Sequence, residues 1–358
     1  MNILAFESSC DETAAAVVRA DGDKLTVLSS IVASQIDIHR LYGGVVPEIA
    51  GRAHIEAISS ITYEALETAH IAKEDVDLVA VTAHPGLIGA LLVAVNFAKA
   101  FAFANHIPLV AVDHIQGHIA AAYLSDTPPK PPFLAMALSG GHTAIYLAKS
   151  YTDYEIIGTT RDDAIGESYD KIGRLMDIPY PAGAGFDRLA TEGFQRATGR
   201  EEDFYRAYKK TDAYRDRSMT LPSPALSDGT LDFSFSGLKT ATINLLHRHE
   251  QTGTPIDHAL LAARYTYEAT EAVAKKIAMA MDAHPALPLV VAGGVAANSH
   301  LRRRLTEVAK AHGVPLHIPS LSLCGDNAAM IAAQGYYEYL AGHLSDTSLN
   351  ASAADGIV

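Results

Sequence analysis

Short strand patterns alternate with longer helix patterns along this chain, and this order constrains its fold more than any other feature. Residues 2–9 predict a strand that ends in a polar turn, and residues 14–32 predict two strands joined through the turn at Asp21 and Gly22. A helix with Pro47 at its first position is predicted over residues 47–70. The alternation then continues through a strand at 78–83, a helix at 87–105, a strand at 109–112 and a helix that carries two histidines. This order is typical of an α/β fold.

The second half of the chain has the same organisation with different residues. Residues 133–148 predict two strands joined by a tight glycine turn, so both halves open with a hairpin that has a polar loop at its tip. These loops are SSCDET (8–13) and SGGHT (139–143). Later segments predict a long helix within 257–284, a strand at 287–294, a helix from about Asn298 and a last helix from about Asp326. Residues 195–230 are polar and proline-rich, which predicts loop and short helix.

Composition limits what kind of protein this is. With 49% hydrophobic and 19% charged residues among 358, the chain can bury a large core, and its length favours two domains. The start MNILAFESSCDE lacks the basic region of a signal peptide. The apolar segment 87–104 is interrupted by Asn96 and Lys99, so no membrane span is predicted. Cys10 and Cys324 show neither metal-site nor disulfide-framework spacing, which favours a reducing cytoplasm.

The charge balance excludes a protein that grips nucleic acid through its overall field. The formal net charge is -13, whereas phosphate binding requires clustered lysines and arginines. Any role with RNA therefore needs a local basic patch or a basic partner. Two candidate patches are residues 196–217, where basic residues are interleaved with tyrosines and diluted by acids, and the run Arg302, Arg303 and Arg304.

The stretch VDHIQGHIAAAYL (112–124) places His114 and His118 one helical turn apart, roughly 5 to 6 Å on the same face. This is the spacing of metal ligands. Among sixteen histidines, however, such a pair also arises by chance as caps or as hydrogen-bonded core residues, and both readings stay open. The zinc-peptidase motif HExxH is excluded, because Ile115 stands where the general base is required and Gln116 cannot take a proton.

Three loops at strand ends have the composition of phosphate- or nucleoside-binding turns. SGGHT exposes backbone N–H groups, SSCDET adds Asp11 and Glu12, and residues 290–305 combine a strand, a Gly-Gly turn and a helix. Each alone is more often only a turn. The segment 166–176 starts a helix with acids, which favours a solvated helix start, and Asp326 is either an N-cap or a third metal ligand.

Nine blocks in this order resemble the universal tRNA N6-adenosine threonylcarbamoyltransferase family, called TsaD in bacteria. They are FESSCDETAAAVV, YGGVVPEIAGRAH, HPGLIGALLV, VDHIQGH, LSGGHTAIY, GESYDKIGRLM, LDFSFSGLKTA, VAGGVAANSHLR and LCGDNAAMIA, and they extend from about residue 2 to 341. The resemblance implies the two-domain actin-like ATPase fold, shared with chaperone ATPases and sugar kinases (ASKHA), with duplicated mixed-sheet domains. The expected domains are 1–130 and 131–325, the second with an insertion at 195–230. The helix at about 326–341 would pack back on the first domain, and 342–358 would form a tail.

The resemblance also implies an activity. Members transfer the threonylcarbamoyl group from threonylcarbamoyl-AMP to N6 of adenosine 37 in tRNAs that read ANN codons. His114, His118 and Asp326 match the family's ligands to one divalent metal, expected to be Fe²⁺, with Zn²⁺ as the alternative. The implied partners are tRNA, an inactive paralogue similar to TsaB and a small P-loop ATPase similar to TsaE, in the cytoplasm.

The same resemblance assigns the remaining site residues. Asp11 and Glu12 would face the reacting side, where one positions the incoming amine or removes its proton, and Lys171 would meet phosphate charge. The residues expected to bind threonylcarbamoyl-AMP are Ala137, Leu138, Ser139, Gly140, Gly141, His142, Thr143, Asp170, Lys171, Gly183, Asp187, Gly293, Gly294 and Asn298.

The sequence departs from the family pattern at four places. Gln116 replaces the acid of the HxEGH motif, His84 interrupts the AGPGL block, and the turn at 180–184 reads YPAGA, with Ala182. The end of the chain lacks the usual basic, tryptophan-bearing tail. The alternative functions are a small-molecule kinase or carbamoyltransferase of the same fold, a metallopeptidase and a noncatalytic scaffold subunit. A scaffold subunit should have lost the presumed metal ligands, and this chain keeps them.

Overall fold

The computed structural model describes residues 1–199 and 207–354, and its first half is built on a five-stranded mixed sheet. The strand order is β3-β2-β1-β4-β5. The hairpin strands β1, β2 and β3 are antiparallel, and β4 and β5 add in parallel to β1. The strands are β1 (Asn2–Glu7), β2 (Glu12–Asp21), β3 (Lys24–Ser34), β4 (Leu78–His84) and β5 (Leu109–Asp113).

The second half contains a second five-stranded sheet with the same arrangement of hairpin and parallel strands. Its order is β10-β9-β6-β7-β8, so β6 takes the central place that β1 has in the first sheet. The predicted duplication of a hairpin-led architecture is confirmed. The strands are β6 (Phe133–Leu138), β7 (Thr143–Ala148), β8 (Tyr154–Thr159), β9 (Leu289–Ala292) and β10 (Leu316–His317).

Helices connect and cover the two sheets. In chain order the described α-helices are α1 (Ile36–Arg40), α2 (Pro47–Ala69), α3 (Ile88–Asn105), α4 (His114–Ala120), α5 (Ile165–Leu175), α6 (Gly183–Thr198), α7 (Asp212–Arg215), α8 (Ser236–Thr252), α9 (His258–Ala283), α10 (Ser299–His312) and α11 (Ala328–Leu340). Helix α3 is long and apolar enough to cross a membrane by length and composition alone. One of its faces, including Leu91 and Val95, is fully buried, as in the core helix of a globular domain.

Strand β8 and helices α1, α6 and α8 were not predicted. Helix α8 has no side-chain cap of its own, because its N-terminus is capped by Asp162 from a distant part of the chain. The carboxylate of Asp162 accepts hydrogen bonds from the N–H of Phe235 at 2.8 Å and from the hydroxyls of Ser234 and Ser236 at 2.5 and 2.6 Å. Local sequence signals cannot reveal such a cap. Over 207–230 the predicted loop and short helix are present, but the first residues of the 195–230 segment belong to α6.

Two helices lie in the core that joins the sheets. The cluster contains Ala5 of the first sheet, Ala135 of the second, Ile119 of α4 and Ile331 of α11. Helix α11 packs so closely on the first sheet that a Cβ at Gly335 would lie 2.5 Å from the Cβ of Ala80. The histidine helix is therefore held between the two halves. The domain boundaries at 130 and 325 stay a prediction.

Candidate metal centre and nucleotide loops

The two histidines project from a helix that is capped at the end of β5. The Oδ1 atom of Asp113 accepts hydrogen bonds from the N–H groups of Ile115 and Gln116 at 2.8 and 3.0 Å, which starts α4 immediately after the strand. Ile115 is buried in the core between the sheets. The rings of His114 and His118 lie next to each other, with centroids 4.5 Å apart and planes at 74°.

A carboxylate from the distant end of the chain completes this group. The Oδ1 atom of Asp326 lies 3.2 Å from Nε2 of His118 and 3.6 Å from Nε2 of His114, and one ligand atom from each residue lies within 4.8 Å of the others. Asp326 does not cap α11, because Asn327 does so by accepting a hydrogen bond from the N–H of Met330 at 3.0 Å. Of the two readings of Asp326, the N-cap is thus wrong, and its carboxylate faces the histidine pair.

This group fits a divalent metal ion. His118 is 1% exposed, and neither of its ring nitrogens makes a hydrogen bond within the described ranges. Buried polar atoms without partners are costly and rare, and Nε2 of His118 faces Oδ1 of Asp326 at 3.2 Å without a hydrogen bond of normal geometry, which fits two groups that share one ligand. Two imidazoles and one carboxylate are donors that suit Fe²⁺ or Zn²⁺ and leave further coordination positions open. The chain therefore has a His-His-Asp group that could hold one such ion.

Glu7 supports this group from behind, and sequence reasoning missed it. Its Oε2 atom lies 2.9 Å from Nδ1 of His114 and accepts a bond from the hydroxyl of Thr82 at 2.5 Å, while Oε1 accepts the N–H of Ser9 at 2.5 Å. Burial lowers the pKa of His114, but the charge of Glu7, followed by that of Asp326, outweighs it and raises this pKa to about 9. A carboxylate on the second nitrogen of a ligating histidine fixes its tautomer and orientation. The available signal was an acid at the end of an otherwise apolar strand.

Asp11 and Glu12 lie close to each other, and Glu12 is within reach of the charge of Asp326. The hydroxyl of Tyr180 donates to Oδ2 of Asp11 at 3.4 Å, which links the first loop to the turn before α6. Burial, followed by the charges of Asp326 and Asp11, raises the pKa of Glu12 to about 10. Glu12 therefore keeps its proton to a higher pH than an ordinary glutamate does. The arrangement offers a protonated carboxyl beside a second carboxyl group.

The SGGHT loop closes on itself and on α5. His142 donates its N–H to Oγ of Ser139 at 3.1 Å, and Gly166 and Glu167 of α5 donate to the carbonyls of Ser139 and Gly140 at 3.3 and 3.1 Å. The N–H groups of Gly140 and Gly141 have no hydrogen-bond partner in the part of the chain that the structure describes. A Cβ at either glycine would meet nothing within 4 Å, so both N–H groups border open space. They are the backbone donors of this loop that an anion could reach.

A single glycine allows the turn after β9 to approach the end of β6, the strand that leads into the SGGHT loop. Gly293 has φ 91°, and a Cβ there would lie 2.3 Å from the carbonyl oxygen of Leu138. The turn at Gly293 and Gly294 therefore lies directly against β6. Ala137 and Leu138 are buried strand residues, while Thr143 accepts the N–H of Ile165 through Oγ1 at 2.9 Å.

The other predicted donor-binding residues already have partners in the protein. Asp170 accepts the N–H of Ala182 at 2.7 Å, just before Gly183 starts α6. Asp187 accepts two bonds from Ser299, both at 3.1 Å, and so lies beside Asn298.

Two further predicted residues are also held by neighbours. Asn298 caps α10 through its side-chain oxygen at 2.9 Å from the N–H of Leu301, which leaves its amide nitrogen for a ligand. Lys171 forms ion pairs with Glu167 at 2.5 Å and Asp163 at 3.3 Å. The prediction that Lys171 meets phosphate would require these pairs to open.

Comparison with known proteins identifies the family. A profile described as "TsaD: tRNA N6-adenosine threonylcarbamoyltransferase" matches residues 26–333. The chain belongs to this family. It is 43% identical over 351 residues to the tRNA N6-adenosine threonylcarbamoyltransferase of Clostridium botulinum (strain 657 / Type Ba4), covering 98% of this chain and 96% of that protein. It is 47% identical to the protein of the same name from Geobacter sp. (strain M21), covering 98% of this chain and 95% of the relative.

Solved structures agree with the actin-like fold. HypF from T. kodakarensis superposes with a TM-score of 0.60 at 14% identity, covering 97% of this chain and 49% of that chain. A full-length HypF in a phosphate- and nucleotide-bound form matches with a TM-score of 0.50 at 14% identity, covering 95% of this chain and 46% of that chain. At this level of identity the likeness is one of fold. The predicted α/β two-sheet architecture is therefore confirmed.

Three of the departures from the TsaD pattern have structural partners. His84 lies with Nε2 3.7 Å from Oδ2 of Asp113, the residue that caps the histidine helix. Gln116 accepts a hydrogen bond from Nε2 of Gln334 at 3.2 Å, which ties α4 to α11. Ala182 donates its N–H to Asp170. Each of these three residues thus contacts a proposed site residue or a residue of the helix that carries the histidines.

The tail of this TsaD-family chain lies along the first sheet. Ser345 donates its N–H to the carbonyl of Leu109 at 2.8 Å, and Ser352 donates to the carbonyl of Ala83 at 2.9 Å. Between these points, Nζ of Lys99 reaches the carbonyl of Leu349 at 2.8 Å. Up to residue 354 the tail therefore completes the fold of the first half.

The predicted basic patches are weaker than their sequence indicates. Arg302 donates to the carbonyls of Ala296 and Pro319 at 2.6 and 2.8 Å, and Arg304 pairs with Glu271 at 2.5 Å. Two members of the arginine run are thus used inside the protein. Part of the 196–217 patch, including Arg206, lies outside the described residues.

Proposed function

We propose that this chain transfers the threonylcarbamoyl group from threonylcarbamoyl-AMP to N6 of adenosine 37 in tRNAs that read ANN codons. Its membership of the family supports the reaction. The observation that carries the proposal for the site is the meeting of His114, His118 and Asp326 between the two halves, beside a glycine loop with unpaired N–H groups. The chain is thus an acyltransferase.

The ligand set supports a metal-assisted reaction. A divalent ion held by His114, His118 and Asp326, which we propose to be Fe²⁺ with Zn²⁺ as the alternative, would supply Lewis acidity toward an oxygen of the donor. Glu7 would hold the imidazole of His114 in the tautomer that leaves Nε2 free for the ion. The protein thereby prepares the ligands before any substrate binds.

The glycine loop and its neighbours would bind the adenylate. The free N–H groups of Gly140 and Gly141 suit the phosphate, because backbone donors in a glycine turn bind anions. Asp187 and the amide nitrogen of Asn298 lie side by side where they can bind hydroxyls of the ribose or the edge of the purine. Gly293 lets its turn lie directly against Leu138 at the end of β6, which keeps the two parts of this proposed nucleotide site together.

Asp11 and Glu12 would serve the incoming adenosine. In the reaction the N6–carbon bond forms, the carbon–oxygen bond to the phosphate breaks, and AMP leaves with the electron pair. N6 must lose a proton, and we assign this proton to the carboxylate of Asp11. Glu12, whose burial raises its pKa, would in its protonated form donate a hydrogen bond to an oxygen of the donor.

The finer context of the reaction follows the family resemblance. We propose that the chain works in the cytoplasm with a TsaB-like paralogue and a TsaE-like P-loop ATPase. The two halves, 1–130 and 131–325, would act as domains that enclose the donor, with the helix at 326–341 fixed to the first. The local basic character that tRNA binding requires would then be shared between this chain and its partners.

The test is an in vitro assay with purified chain, threonylcarbamoyl-AMP and unmodified tRNA, with and without the two partners. Mass spectrometry of digested nucleosides measures the modified adenosine. We expect product in the wild type and none in His114→Ala, while His247→Ala, which changes an exposed histidine of α8, keeps activity. ADP formed in proportion to a phosphorylated small molecule, with unmodified tRNA, would instead favour the kinase alternative.

A further inference from the structure

An exposed apolar surface lies where the segment after α1, in the first half, meets the end of α5, in the second half. Leu41 is 83% exposed, Tyr42 56% and Ile38 42%. They belong to α1 and the turn that follows it. From the second half, Leu175 at the end of α5 is 40% exposed beside Arg174. We call these five residues the rim surface.

The two parts of the rim surface touch each other. A Cβ at Gly43 would lie 3.2 Å from Cζ of Arg174, so the guanidinium rests on the backbone directly after Tyr42. Nε of Arg40 donates to the carbonyl of Tyr180 at 3.2 Å. The hydroxyl of Tyr180 in turn donates to Asp11 at 3.4 Å. Two hydrogen bonds, through Arg40 and Tyr180, therefore connect the segment that carries the rim surface with Asp11 of the candidate reaction site.

A buried polar network holds this segment in place from below. His39 is fully buried, with Nε2 3.1 Å from Oε1 of Gln35 and Nδ1 accepting the N–H of Val46 at 3.3 Å. The N–H of Gln35 donates to the carbonyl of Asp11 at 3.0 Å, and its side chain reaches Nδ1 of His54 at 3.3 Å. The same buried hydrogen bonds thus hold both the segment with the exposed apolar side chains and the loop that contains Asp11.

The charge at the rim favours an RNA occupant. The net charge of the chain is -13, and the exposed carboxylate of Asp37 on α1 is paired with Arg40 at 3.1 Å, whereas the guanidinium of Arg174 has no ion-pair or hydrogen-bond partner among the described residues. Single-stranded loops of RNA are bound by aromatic side chains that stack on unpaired bases, together with arginines that contact the backbone. Tyr42 provides the aromatic ring, and Arg174 provides the guanidinium, which lies at Gly43, the next residue after Tyr42.

We propose that the rim surface binds nucleotides of the anticodon loop next to the modified adenosine. Tyr42 stacks on an unpaired base, Leu41 and Ile38 extend the contact, and Arg174 binds a phosphate. This inference rests on the proposed function, because it names the place where that reaction's RNA substrate docks. It makes the rim surface a determinant of affinity for tRNA, separate from the metal group.

The test measures binding and turnover separately. A fluorescein-labelled anticodon stem-loop RNA is titrated with the purified chain by fluorescence anisotropy at several salt concentrations, and the KM for tRNA is measured in the modification assay. We expect Tyr42→Ala to weaken RNA binding about tenfold, whereas Tyr42→Phe recovers most of the loss because stacking requires the ring. Arg174→Ala should weaken binding and lower the slope of log K against log salt by about one.

Tyr63→Ala and Arg248→Ala change exposed residues of α2 and α8 and are expected to bind RNA as the wild type does. Because Tyr42 is exposed, its variants should unfold at the wild-type denaturant concentration. The inference would be overturned if Tyr42→Ala and Arg174→Ala had the RNA affinity and the KM of the wild type. This holds also if Tyr42→Ala no longer binds a protein partner, because the surface would then be a protein interface. Reduced RNA binding in these variants with an inactive wild type would support the inference and refute the proposed function.

Discussion

Replacing Glu7 by Gln tests whether the carboxylate behind His114 prepares the metal site. Glu7 is fully buried and accepts three hydrogen bonds, from Ser9, Thr82 and His114. A glutamine has the same shape, but its amide nitrogen must face at least one of these donors. At least one buried hydrogen bond is therefore lost. The free energy of unfolding should therefore fall by about 1 to 3 kcal/mol.

The same substitution should weaken metal binding. Without the negative charge, the hydrogen bond that orients the imidazole of His114 is weaker and the ring is a poorer ligand. Loss of such a supporting partner lowers affinity about 10- to 100-fold, or about 1.4 to 2.7 kcal/mol. This loss of affinity is expected when metal is added to the chain in the absence of substrate.

The assay is competition between the protein and a chromophoric chelator for Zn²⁺. Proton and metal compete for His114, whose pKa is raised to about 9, so affinities are compared over a pH series that extends to this value. Urea denaturation of the same samples measures the stability cost. Glu74→Gln, at an exposed glutamate, is the matched control and should change neither quantity.

Equal Zn²⁺ affinity of Glu7→Gln and wild type at the alkaline end of the series would refute this reasoning. It would do so provided that His118→Ala has lost binding in the same experiment. If His118→Ala also binds normally, the His-His-Asp group itself is not the metal site.

Three further predictions concern contacts around the site. Gln334→Leu removes the bond to Gln116 that ties α11 to α4 and should lower the free energy of unfolding by about 1 to 3 kcal/mol, measured with urea. Gly166→Ala places a Cβ 2.5 Å from the carbonyl of Ser139, so it should displace the SGGHT loop at a cost of about 1 to 3 kcal/mol and weaken AMP binding in calorimetry. Asp162→Ala removes the acceptor that caps α8 and should cost about 1 to 2 kcal/mol at neutral pH.

The last of these predictions has a defined pH dependence. Burial acts to raise the pKa of Asp162, but the hydrogen bonds from Ser234 and Ser236 outweigh it and hold the pKa below its ordinary value of 3.8. The stabilisation is therefore present above this value and is lost as the pH falls below it. Wild type and Asp162→Ala should differ in urea midpoint at pH 7 and converge in strong acid. A constant difference across the series would contradict the assignment.

Controls for the other two variants use the same positions. Gln334→Glu replaces the donor amide by a carboxyl that faces the oxygens of Gln116 and Glu338, so it should destabilise the protein at least as much as Gln334→Leu. A stability above that of Gln334→Leu would contradict the assignment of the loss to the donated hydrogen bonds. Gly141→Ala adds a Cβ to the same loop in open space and should leave its packing intact. If both glycine variants weaken AMP binding equally, displacement by the 166 position is not the cause.

Much of the fold was predictable because its signals are local. The Pro47 start of α2 and the glycine turn between β6 and β7 each depend on a few adjacent residues, and the structure confirms them. Helix α8 escaped prediction because its cap, Asp162, lies 74 residues before Ser236 in the sequence. Strand β8 is short and mixes exposed with buried residues, so its pattern is weak.

Periodicity and local propensity operate over a few residues. The amino-acid sequence is therefore sufficient to predict the order of strands and helices, the family motifs and the one-turn spacing of His114 and His118. Tertiary structure alone decided which residues meet. Glu7 reaches His114 across 107 residues, and Gln116 reaches Gln334 across 218. Lys171, in contrast, turned out to be held by its helix neighbour Glu167. Hydrogen bonds and ion pairs act over a few ångströms, so their partners are known only once packing has brought distant segments together.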